Sequence, residues 1–170
     1  NVGAGWRADA LWSPDRAAET AGNLLLKHDN RVDAFACNNS GLASGVIASL
    51  ELEGLASADK TFVAGSDADL KNVQYIVQGK QVMDIWKKID PLAFKAAEIA
   101  VEIAKNPDKP AEAIAREASR GDLRFALIDN GFTKVPTIVT PVVSITKANI
   151  DSTLIAEKVF TREQVYGAKQ

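Results

Sequence analysis

The sequence predicts an α/β domain with a doubly wound parallel sheet. Two observations carry this. Short apolar runs rich in β-formers, such as Thr61–Ala64 (TFVA), alternate with longer segments of helical periodicity. Each strand–helix unit takes about 25 to 30 residues, the length of a right-handed crossover between parallel strands.

The elements follow in order. Asn1–Gly5 (NVGAG) reads as the end of a strand running into a glycine turn, with Trp6 and Trp12 after it. Ser13-Pro14 is a helix start, with Ser as N-cap, Pro at the first helical position and Asp15 in the first turn. That helix is expected to reach about Lys27 and to bury Ala17, Ala21, Leu24 and Leu25. Arg31–Cys37 (RVDAFAC) is a second strand. Asn38-Asn39-Ser40-Gly41 then turns into a helix over Leu42–Glu53, closed by Gly54. The small residues Gly41, Ala43, Ser44 and Gly45 at its start let backbone and ligand approach closely.

Thr61–Ala64 is the third strand, ended by Gly65, and Asp67 or Ala68 opens a helix carrying Leu70, Val73 and Ile76 on one face. Gln81–Trp86 is the fourth strand, followed by Lys87-Lys88. Asp90-Pro91 starts a long helix to about Lys105. Pro110–Ser119 is a short helix or a surface insertion. Leu123–Asp129 and Val135–Ile145 are extended, separated by Asn130-Gly131, and Pro136 and Pro141 confine the second to an edge or irregular strand. The tail to Gln170 reads as polar.

Composition narrows the function. The 170 residues carry a net charge of -2 with no basic face, so nucleic acid is not an expected partner. No apolar run approaches the roughly 20 residues of a membrane span. The single cysteine, Cys37, lies in an apolar run and reads as a buried, inert thiol. The single histidine, His28, reads as solvated. No catalytic residue, metal cluster or cofactor motif is expected: there is no nucleophile–base pair and no complete G-x-G-x-x-G after a strand.

In a parallel sheet, residues just past the strands emerge on one edge, where open α/β sheets bind ligands. Trp6, Asn39, Asp67 and Lys87 follow the four strands. One aromatic face, one amide, one carboxylate and one ammonium suit a sugar, whose hydroxyls donate and accept together and whose C–H face packs on an aromatic ring. Each has a plainer reading. Asp67 would cap its helix, Asn39 would satisfy its turn, Lys87 would be solvated, and Trp6 would be an anchor.

Four stretches carry a family resemblance: VDAFACNN with GLASGVIASLELEGL, VAGSDADL, IVQGKQVMDIWK, and the terminal VPTIVTPVVSITKANID. Across nearly its whole length the chain resembles the C-terminal part of a type I periplasmic sugar-binding protein of an ABC transporter, of the D-xylose-binding branch. The resemblance implies a periplasmic protein, or an extracellular lipoprotein in a Gram-positive organism. It implies no enzyme activity, a monosaccharide ligand held by Trp6, Asn39, Asp67 and Lys87, and a membrane permease as partner. Spacing near Trp6 departs from the family pattern, so Trp12 is the alternative stacking residue. The same resemblance divides the chain. Residues 1–87 hold most of the C-terminal sugar-binding lobe, 88–135 cross back to an N-terminal lobe absent from this chain, and 136–170 form the last hinge crossover and the tail. On this reading the chain is one piece of a longer or nicked protein, and the apolar face of the helix after Pro91 lacks its partner. The other function carried by such a lobe is the sugar-sensing core of a transcriptional repressor or of a receptor with the same lobe fold.

Overall fold

A computed structural model of the chain describes residues 7–167. The expected strand at Asn1–Gly5 and the candidate Trp6 lie outside the described residues. Contacts divide the chain into two units, Asn1–Trp86 with Val143–Gln170, and Lys87–Val142.

In the first unit, α1 (Pro14–Lys27) starts where the sequence signals it: Ser13 is the N-cap and its hydroxyl accepts the Arg16 amide. Strand β1 is shorter than expected, Ala34–Ala36. Helix α2 (Ser40–Leu52) is capped by Asn39 and ends two residues before Gly54, whose φ of +66° lets the chain reverse. Strand β2 runs Phe62–Ser66, α3 Leu70–Val77 and β3 Met83–Lys87. Strands β1, β2 and β3 are parallel, with Ala36 beside Ala64 and Ser66 beside Ile85. The expected α/β class and parallel sheet are therefore present.

Two apolar clusters fill this unit. Leu25 and Ala21 of α1 meet Ile47 and Leu50 of α2 over Val63 of β2. A Cβ on Gly45 would lie 2.1 Å from the Pro14 carbonyl oxygen, so this glycine serves the close crossing of α1 and α2 rather than a ligand. The second cluster joins Val73 and Ile76 of α3 to Trp86, Ile145, Ile150, Leu154 and Val165. The tail read as polar is thus part of the core. It forms a π-helical turn, Asp151–Ile155, and α6 (Arg162–Tyr166), which lies against α3. Ile150 and Leu154 stand four residues apart, the spacing of one helical turn, but charged and polar residues surround them, and tertiary docking decides their burial.

In the second unit, α4 (Ile89–Lys105) and α5 (Ala111–Ala118) precede a hairpin of β4 (Arg124–Asp129) and β5 (Lys134–Val139). The hairpin is antiparallel, with Leu127 opposite Pro136. A two-stranded ribbon is all edge, which is where a strand proline is tolerated. Asn130 Oδ1 accepts the Phe132 and Thr133 amides across the turn, and Gly131 takes φ +88°. Pro141 separates β5 from β6 (Val142–Thr146), which joins the first sheet in the order β1-β2-β3-β6. No residue of α4 is buried among the described residues. Leu92, Ala96, Ile99 and Ile103 of α4 instead line a groove of about 290 Å³ with Ile114 and Ile138.

Candidate functional site

Asn39 and Asp67 follow β1 and β2, and because these strands are parallel both residues come out at the carboxyl edge of the sheet. Asn39 is half-buried, and its Oδ1 accepts the Leu42 amide at 2.8 Å. It therefore caps α2 as the plainer reading requires. The cap uses the oxygen branch of the amide, and the Nδ2 donor lies on the other branch.

Asp67 does not cap its helix. The N-cap of α3 is Asp69, which makes no side-chain cap bond. Asp67 sits two residues earlier, exposed, with φ +110°, and Ala68 after it has φ +57°. The Asp67 amide donates to the Ile85 carbonyl at 2.7 Å and the Ala68 amide to Asp84 Oδ1 at 2.9 Å. The chain is thus drawn sideways onto β3 before the helix begins, which delays α3 to Leu70. Gly65, expected to end the strand, continues it: β2 extends to Ser66.

Lys87 is the last residue of β3, half-buried, and the first residue of the second unit. Trp12, the alternative stacking residue, is 66% exposed with φ +60° on the turn before α1.

The residues missed from sequence are Asp84 and its partners. Asp84 is fully buried in β3. Its Oδ2 accepts Ser40 Oγ at 3.0 Å and Gln81 Nε2 at 2.9 Å, in addition to the Ala68 amide on Oδ1. Burial pushes its carboxyl above the usual carboxylate range, and the charge of Asp67 adds to this, while the three donors pull the other way. A signal was present: the period of two in β3 places Asp84 on the face of Trp86, the buried one. Cys37 is half-buried, and burial first, with Asp84 second, pushes its thiol up to about 11. His28, read as solvated, is half-buried at the C-cap of α1.

A cavity of about 750 Å³ opens elsewhere, along β1 between α1 and α2. It includes Leu24, Val32, Phe35 and Asn38 but neither Asn39 nor Asp67. Asn39 and Asp67 stand on the same edge of the sheet, and both side chains are equipped for hydrogen bonding. Among the described residues no group of three or more His, Cys, Asp or Glu could hold a metal.

The family pattern for a periplasmic binding protein domain matches residues 2–108. The chain belongs to this family. It is 36% identical over 155 residues to a D-xylose-binding periplasmic protein of Haemophilus influenzae, covering 91% of this chain and 42% of the relative. A D-xylose-binding periplasmic protein of Escherichia coli is 32% identical over 146 residues, covering 86% and 40%. Among solved structures, a carbohydrate transporter solute-binding protein from Chloroflexus aurantiacus in complex with D-glucose matches at TM-score 0.66 and 28% identity, over 90% of this chain and 42% of that one. The chain spans about two fifths of the length of these family members, and its α/β lobe is of the type I periplasmic-binding-protein class.

Proposed function

We propose that this chain is the C-terminal lobe of the substrate-binding component of an ABC sugar importer. It holds a monosaccharide, D-xylose or a related aldose, in a cleft shared with an N-terminal lobe, and the closed protein delivers the sugar to a permease outside the cytoplasm. Trp6, Asn39, Asp67 and Lys87 are the ligand contacts on this side. The observation that carries the reading is Asp67: an exposed carboxylate at the carboxyl edge of a parallel sheet, released from helix capping. A carboxylate accepting hydroxyls there makes charge-assisted bonds. The relatives' ligand, D-xylose, supports an aldopentose. The segment 88–135 packs on the N-terminal lobe in this reading, and the lack of buried residues along α4 supports it. The protein works by binding and closure, and no bond of the sugar is broken.

The test is a thermal-shift screen of the protein expressed from its intact gene against pentoses and hexoses. A ligand at a hundred times its Kd stabilises the folded state by about 2.7 kcal/mol. A clear rise in Tm with an aldopentose is the expected result. A flat response to every monosaccharide would overturn the assignment.

A further inference from the structure

We infer that Asp84 is a positioning residue: its buried carboxylate holds the Asp67–Ala68 turn in its left-handed conformation and so aims Asp67 at the ligand. The inference rests on the sugar-binding role proposed for Asp67.

Neither Asp67 nor Ala68 is a glycine, yet both take positive φ, at +110° and +57°. A side chain makes this backbone region unfavourable, and Ala has no polar group with which to compensate. Such a turn persists only where its surroundings over-determine it. Here three successive amides are captured. The Asp67 amide goes to the Ile85 carbonyl, Ala68 to Asp84 Oδ1, and Asp69 to Ser40 Oγ at 3.2 Å. Ser40 in turn donates to Asp84 Oδ2, so one of the three bonds ends on that carboxylate directly and a second reaches it through Ser40.

The carboxylate is itself fixed from behind. Gln81 Nε2 donates to Asp84 Oδ2 and to the Met83 carbonyl. Gln81 Oε1 accepts from Asn72 Nδ2, which also donates to the Ser40 carbonyl, and Asn72 Oδ1 accepts Ser44 Oγ. Asp84, Ser40, Asn72 and Gln81 are all at most 1% exposed. The network joins the start of α2, the turn, α3 and β3. A fully satisfied buried network of this kind specifies one geometry. An ionised carboxylate suits it because it only accepts, and donors approach from three sides. An asparagine would place donors of its own against Gln81 or Ser40.

The test uses the protein from its intact gene, with D-xylose as the calorimetric probe. Asp84→Asn is expected to weaken binding tenfold or more while retaining a cooperative melt. Adding Ala68→Gly to that variant is expected to recover severalfold of the loss, because glycine adopts positive φ without a Cβ penalty. A network serving stability alone would lower Tm and leave affinity within twofold, which overturns the inference, as does a loss that Ala68→Gly does not touch. If Asp84→Asn fails to fold, Ser40→Ala removes one arm and keeps the carboxylate; a threefold loss of affinity is expected, and unchanged affinity refutes the role. If the wild-type protein binds no sugar, the functional reading fails by itself. Amide exchange then decides the positioning. Asp67, Ala68 and Asp69 should lose protection in the Asp84→Asn or Ser40→Ala protein while Val73 keeps it, and unchanged protection at all three overturns the inference.

Discussion

Gly65 and Asp84 are register partners across β2 and β3, and a Cβ on Gly65 would stand 2.5 Å from Asp84 Oδ2. The missing side chain of one residue is the space occupied by the carboxylate of the other.

That relationship makes Gly65→Ala an informative substitution. On entropy alone, Gly→Ala at a compatible backbone position gains about 0.4–1 kcal/mol. Here the added methyl also meets Gln81 Nε2 at 3.1 Å and Ala43 Cβ at 3.2 Å. Overpacking of this kind costs about 1–3 kcal/mol, so sterics win. Urea unfolding should show a net loss of about 1–2 kcal/mol, taking the two terms together. A variant as stable as the parent would show that Asp84 moves aside freely.

Asp67→Asn separates binding from capping. Asparagine tolerates positive φ about as well as aspartate, so the turn should survive. Asp67 is exposed and the N-cap position of α3 is held by Asp69, so stability should change by no more than about 0.5 kcal/mol. Affinity for the aldopentose should fall roughly 5- to 30-fold, the difference between charged and neutral hydrogen bonds. Isothermal calorimetry of the intact protein measures it, and an unchanged Kd would remove Asp67 from the site.

Cys37 should be unreactive while the protein is folded. With its thiol pushed to about 11 rather than 9.0, the thiolate fraction at pH 8 is about a hundredfold smaller than for an ordinary cysteine. Reaction with a disulfide reagent should therefore be slow until urea unfolds the chain. Because the folded state is the poorer holder of the thiolate, the same group contributes stability that is present below pH 9.0 and lost as pH rises towards about 11. Rapid labelling of the folded protein at pH 8 would contradict both statements.

Local signals placed most elements. Ser13-Pro14 needed only its own turn to start α1, and Asn39 needed only Leu42 to cap α2. The start of α3 was misplaced because Asp67 reads as a cap while the Ala68 amide is taken by Asp84, 16 residues later in the chain. Tail burial was missed for a related reason. Ile150 and Leu154 carry only a single helical turn of spacing among polar residues, Val165 lies far from both, and their cover comes from α3 and Trp86.

The alternation of strands and helices from α1 to α4 and the parallel direction of β1, β2 and β3 were settled by sequence, because periodicity, caps and turns act over a few residues; the strand ends were not, since β2 runs on through Gly65 to Ser66. Which of two nearby carboxylates faces solvent and which is sealed in was settled only by the tertiary structure. Asp84 is buried because β2 places a glycine beside it and α2 brings Ser40 to it, and Asp67 is exposed because the amide after it is bound to that buried carboxylate.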